Sequence, residues 1–126
     1  MNRFAAWLPF GLALALAGTA VSGAESNRFH LAGGGEMSYV DRGAGEPALV
    51  LIHCGNCRKE IWSETIEAFA GERRVVALDL VGHGASSART VGASVPALGE
   101  DVAALVRELG IGRAILVGNS LGGPVA

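Results

Sequence analysis

"AILVGNSLGG", residues 114–123, runs an unbroken apolar stretch into a serine framed by Gly118 and Gly122. Apolar residues without polar alternation, over so short a span, are the pattern of a strand buried on both faces. Glycines two before and two after Ser120 would let such a strand and a following helix approach closely through a sharp turn. Two more runs of this kind lie upstream, "ALVLIH" at 48–53 and "RVVALDL" at 74–80. Three buried strands are therefore expected.

Helical patterns separate them. Trp62, Ile66 and Phe69 recur at helical spacing opposite Glu60, Glu64 and Glu67, which predicts an amphipathic helix with a wet acidic side. Val95, Leu98, Val102, Leu105, Val106 and Leu109 form one apolar stripe, with Ser94 placed as N-cap, Pro96 in the first turn and Gly110 just past the end. Strand, helix, strand, helix, strand implies a mostly parallel sheet with right-handed crossovers, covered by helices. "NRFHL" and "EMSYVD" flank "AGGG", so residues 27–41 are expected as an antiparallel N-terminal hairpin at a sheet edge. "LGGPVA" supplies only the first turn or so of a further helix, where Pro124 is tolerated because the leading N–H groups have no intrahelical partner. The expectation is an α/β fold truncated after this turn, with an apolar face and an unpaired edge that promote aggregation.

Half of the 126 residues are apolar, and 10 Lys and Arg stand against 12 Asp and Glu with no basic run. This argues against nucleic acid and anionic lipid as partners and for a small-molecule substrate. Residues 1–24 differ from the remainder: Arg3 precedes an Ala/Leu-rich run that ends in the small residues Gly23 and Ala24, as in a secretory signal peptide. Export, periplasmic or secreted, is expected for residues 25–126. The alternative is an uncleaved membrane anchor, since no charge falls between Arg3 and Glu25.

Cys54 and Cys57 form a C-x-x-C pair beside His53. A disulfide, a redox pair and part of a metal site are all open readings. A structural zinc site needs four ligands and no second pair at suitable spacing exists, so no metal is expected. Two ordinary loop thiols are the preferred reading.

Gly118-Asn119-Ser120-Leu121-Gly122 matches G-x-S-x-G, a pattern that arises readily by chance in a chain with 19 glycines. Its place at the end of an expected buried strand gives it weight, because the motif demands a strand-to-helix turn that lifts the serine hydroxyl above the sheet. His53 and Gly55 end the first central strand, where a loop N–H could face the same point, and acyl transfer needs two such donors for the developing oxyanion. The candidate pair is the backbone N–H of Leu121 and that of Gly55. His53 is read as shaping the loop rather than moving protons. In "DLVGHGASS", residues 79–87, Asp79 and His83 suggest acid–base chemistry, but the glycines around His83 favour a tight turn. His30 is expected on the surface of the hairpin.

"LIHCGNCRKEIW", "DLVGHGASS" and "GNSLGG", in this order on successive strands, resemble the α/β-hydrolase family over about residues 27–126. The family shows H-G-x at the oxyanion loop, D-x-x-G-H-G-x-S after the next strand and G-x-S-x-G at the nucleophile elbow. The resemblance implies Ser120 as nucleophile, Gly55 and Leu121 as oxyanion donors, Trp62 as a packing residue, and no metal or organic cofactor. Cys54 departs from the usual glycine. In this family the acid and the histidine of the triad follow the elbow, whereas His30, His53 and His83 all precede Ser120. The resemblance therefore implies a serine hydrolase acting on an ester or related acyl bond, with this 126-residue chain expected to be inactive alone. "GNSLGG" also resembles the "GNSMGG" elbow of carbon–carbon bond hydrolases, and a non-catalytic binding module is the competing class. Nucleotide binding is disfavoured, because the stretch lacks G-x-G-x-x-G and no Lys-Ser/Thr follows.

Overall fold

The structure, a computed structural model, describes residues 25–88 and 94–126. The expected signal peptide, residues 1–24, lies outside the described residues. Five strands form one sheet in the order β1-β2-β4-β3-β5, with β1 Asn27–His30, β2 Glu36–Arg42, β3 Ala48–Ile52, β4 Val75–Leu78 and β5 Ala114–Gly118. The hairpin β1–β2 is antiparallel and pairs Asn27 with Tyr39 and His30 with Glu36. Its turn closes through the N–H of Leu31 donating to the Gly35 carbonyl at 3.0 Å. β2 runs antiparallel to β4, while β3 is parallel to both β4 and β5. The expected mostly parallel sheet with an antiparallel hairpin at its edge is thus present.

Side-chain alternation along β3 and β4 divides the core in two, because successive residues of a strand face opposite sides. Val50, Ile52 and Leu78 join Leu98, Val102 and Leu105 of α2 (Val95–Glu108) on one face. Leu49, Leu51, Val75 and Ala77 pack with Ile66 of α1 (Ser63–Phe69) on the other. α2 begins where expected: Ser94 Oγ accepts the N–H of Ala97 at 3.3 Å, and Pro96 sits in the first turn. α1 is preceded by a 3₁₀ turn, Lys59–Trp62, and α3 spans only Gly122–Val125.

Two expectations need correction. β5 was expected to be buried on both faces, yet Ile115 and Leu116 remain 43% and 40% exposed. It is an outer strand with β3 as its one described neighbour, so its apolar residues lack the second flank that buries β3. Phe69, expected on the apolar side of the first helix, is exposed. Trp62 and Ala70, one helical step on either side of Ile66, pack against that core in its place.

Arg74 ties three elements together. Its guanidinium donates to both carboxylate oxygens of Asp41 on β2, at 3.0 and 2.6 Å, and to the Leu109 carbonyl beyond α2 at 3.0 Å. A forked donor matches a carboxylate in this bidentate way where a lysine would not.

Candidate active site

The turn from β5 into α3 is built as the glycine spacing requires. Ser120 adopts φ +51°, the left-handed region that non-glycine residues avoid at a cost of about 1–3 kcal/mol, so the surroundings must hold it there. A methyl group added at Gly118 would lie 2.1 Å from the Gly122 carbonyl oxygen, and one at Gly122 would lie 2.3 Å from the Ile52 carbonyl oxygen. Neither position accepts a side chain without moving backbone. The turn is bonded to the neighbouring strand, the N–H of Asn119 donating to the Ile52 carbonyl at 3.0 Å. The N–H groups of Gly122 and Gly123 then donate to the carbonyls of Asn119 and Ser120, both at 2.9 Å, and start the helix. Ser120 itself is exposed.

The loop after β3 meets this turn. A methyl at Gly55 would sit 3.8 Å from Leu121 Cδ2 and 4.0 Å from Leu121 Cβ, so the Gly55 backbone and the first residue beyond Ser120 are in contact range. Neither the Gly55 nor the Leu121 amide has a hydrogen-bond partner among the described residues.

Beneath the loop lies a buried polar cluster. His53 is fully buried; Nε2 accepts the N–H of Leu80 at 3.0 Å, which leaves Nδ1 to carry the proton and donate to the Cys54 carbonyl at 2.7 Å. Both ring nitrogens are thereby used and the imidazole is neutral. Its 4.0 Å approach to Asp79 Oδ1 is therefore no ion pair. Burial, the dominant influence, lowers the His53 pKa from its ordinary 6.5, against smaller raising effects of the Cys54 carbonyl and Asp79. His83 lies in the turn after Leu80, with its ring centroid 5.2 Å from that of His53.

Asp79 is fully buried and ionised. Burial is the largest single influence on it and opposes ionisation, but the N–H groups of Ala85 and Lys59 and the Lys59 ammonium outweigh burial and lower the pKa below 3.8. The bonds measure 2.9 Å from Ala85 N, 2.6 Å from Lys59 N and 2.9 Å from Lys59 Nζ. Gly84, at φ +50°, leaves room for this carboxylate, which a methyl there would approach within 2.4 Å. Asp79 and His83 thus sit in a structural turn. Ser86 and Ser87 extend it to β2: Ser86 Oγ donates to the Asp79 carbonyl at 2.7 Å and accepts the N–H of Ser38 at 2.9 Å, while Ser87 Oγ accepts the N–H of Glu36 at 2.8 Å.

Sequence reasoning assigned no part to Lys59, Ser86 or Ser87. Lys59 is 3% exposed, although its neighbours Arg58 and Glu60 make it look like part of a solvated charge run. Only Asp79, twenty residues away, identifies it as buried. The preferred reading of Cys54 and Cys57 as thiols is overturned: the two are joined in a disulfide. The turn that brings the Cys57 N–H to the Cys54 carbonyl, at 3.2 Å, sets their Cα atoms 5.3 Å apart, within the range a disulfide spans. Of the remaining histidine, His30 is exposed on β1 and lies 3.3 Å from Glu36. Among the described residues no group of three or more His, Cys, Asp and Glu side chains could hold a metal ion.

Comparison with known proteins gives a consistent picture. A family model described as the alpha/beta hydrolase fold matches residues 47–126. The dihydrolipoyllysine-residue acetyltransferase component of the acetoin cleaving system of Pseudomonas putida is 42% identical over 84 residues, which are 67% of this chain and 23% of that protein. A 2-hydroxy-6-oxononadienedioate/2-hydroxy-6-oxononatrienedioate hydrolase of Burkholderia vietnamiensis is 41% identical over 92 residues, 69% of this chain and 32% of its own length. The crystal structure of a hydrolase from Pseudomonas aeruginosa aligns with a TM-score of 0.74 at 34% identity, covering 79% of this chain and 38% of that one. The chain therefore spans 23% to 32% of the length of these curated relatives.

Proposed function

The chain belongs to the α/β-hydrolase family, and on that premise we propose that Ser120 is the nucleophile of a serine hydrolase that cleaves an ester or related acyl bond through an acyl-serine intermediate. The observation that carries this reading is the left-handed backbone of Ser120 between two glycines that admit no side chain. Such a conformation costs stability and persists where function rewards it. Attack on a small-molecule acyl carbonyl puts negative charge on its oxygen, and the Gly55 and Leu121 amides are the donors proposed to receive it. Loss of one such donor typically costs about 3 kcal/mol of barrier.

A hydroxyl needs a base to become a useful nucleophile. His53 has both ring nitrogens occupied, His83 packs beside it, and His30 lies on the outer strand β1. We therefore assign the general base to none of these three histidines. Export through the N-terminal segment belongs to the same proposal.

A second chemistry, hydrolysis of a carbon–carbon bond, is favoured by the "GNSLGG" turn and by the 41% identical Burkholderia hydrolase. Acid quenching during turnover of an activated aryl ester, by the protein as its gene encodes it, separates the readings. Accumulation of an acyl group on Ser120, absent from Ser120→Ala, is the expected result. Ester turnover that is equal in Ser120→Ala would end the proposal, and turnover of vinylogous diketone acids without any ester turnover would favour the second chemistry.

A further inference from the structure

We propose that the Cys54–Cys57 disulfide is a reducible lock on the loop that carries the Gly55 amide, opened by a dithiol and closed again by oxidation. Its consequence for catalysis rests on the reading of Ser120 given above; its consequence for the loop does not.

The argument is one of anchors. The loop from His53 to Lys59 is fixed in the core at both ends. At its start, His53 is held by the Leu80 N–H and holds the Cys54 carbonyl in turn. At its end, Lys59 is held through both its backbone N–H and its ammonium by the buried Asp79. Between these anchors the tip is exposed at Gly55 and Asn56, and the cysteines are only half-buried. Asn56, at φ +58°, gives the tip a left-handed turn, a conformation that asparagine tolerates better than most non-glycine residues. Two things constrain it: a single backbone hydrogen bond, Cys57 N–H to Cys54 carbonyl at 3.2 Å, and the disulfide that closes the same four-residue turn. Gly55 lies inside that closed turn and against Leu121. Opening the disulfide thus frees the tip and the Gly55 amide while both anchors stay in place.

Reduction proceeds by thiol–disulfide exchange. A thiolate of the dithiol attacks one cysteine sulfur, forms a mixed disulfide and expels the other cysteine as a thiolate. The second thiol of the reagent then displaces the first cysteine. Two electrons and two protons pass to the protein, leaving two cysteine thiols and a cyclic oxidised reagent.

The test uses the protein as its gene encodes it, equilibrated with mixtures of reduced and oxidised dithiothreitol. Alkylation and mass measurement read the redox state, hydrogen exchange reads the amides of Cys57 and Leu80, and a fluorophosphonate reads Ser120. The two thiols should appear together in one two-electron step. Exchange at Cys57 should rise by about tenfold or more while exchange at Leu80 stays the same. Labelling of Ser120 should slow by about tenfold and recover on reoxidation. The Cys54→Ala/Cys57→Ala double variant should match the reduced form and ignore the reagent. A disulfide that native conditions do not reduce, or a Cys57 amide indifferent to reduction, would overturn the lock. So would parallel rises at Cys57 and Leu80, which mean wholesale opening. A loosened loop with unchanged labelling would remove the link to Ser120. A loosened loop with no labelling in either redox state would sustain the lock and count against Ser120 as nucleophile.

Discussion

β3 and β5 are adjacent parallel strands written in nearly the same apolar residues, ALVLI and AILVG, yet all five residues of β3 are buried and four of the five in β5 are exposed. The difference lies in what flanks each strand. β3 has β4 on one side and β5 on the other, with α1 and α2 covering its two faces. β5 has one described neighbour. Fully burying a leucine or isoleucine is worth about 1.5–3 kcal/mol, so the same residue types contribute very differently in the two strands. An apolar run specifies a strand; its surroundings decide whether that strand is core.

The contrast can be broken most strongly from the β3–β4 side, where a buried polar cluster supports the loop. Asp79→Asn removes the buried carboxylate from the Lys59 ammonium and leaves it only the exposed Glu60 carboxylate at 3.2 Å, and a loss of about 3 kcal/mol is expected in denaturant unfolding. Next comes Leu51→Ala, which opens a cavity in the core facing α1 and should cost about 3 kcal/mol.

Acidification probes the same cluster. The unfolded chain binds a proton on His53 near pH 6.5 that the folded chain takes up only at lower pH, so stability is full above that value and falls as pH drops below it. Asp79 behaves likewise lower down: its contribution is complete above about 3.8 and is lost as pH falls through its depressed folded value. Thermal unfolding followed from neutral pH downward should show two declines, the lower one missing in Asp79→Asn.

The β5 side should answer weakly. Ser120→Gly removes the left-handed strain and should stabilise the chain by about 1 kcal/mol while abolishing any acylation. Leu116→Lys, at an exposed position, should change stability by no more than about 0.5 kcal/mol. A cost as large as that of Leu51→Ala would show that β5 is as much core as β3.

Local signals in the sequence carried most of the fold. The hairpin was legible because glycines separate two alternating runs, and α2 because Ser94, Pro96 and Gly110 mark its ends in the order a helix needs. The turn at Ser120 was legible from glycine spacing together with its place at the end of an apolar run. What stayed hidden depends on partners distant in the chain. Lys59 looks solvated until Asp79 is brought beneath it, and Ser86 and Ser87 look like loop filler until β2 passes alongside. The Cys54–Cys57 bond depends on how tightly one turn closes, which spacing leaves open. Exposure of β5 was missed because residue type records what a strand could bury, not what lies next to it.

The central claim is that Ser120 is poised as a nucleophile. Reaction of the protein, as its gene encodes it, with a fluorophosphonate followed by peptide mapping tests this most directly. The account predicts a single adduct on Ser120, lost in Ser120→Ala. An unmodified Ser120, under conditions that label a known serine hydrolase to completion, would contradict it.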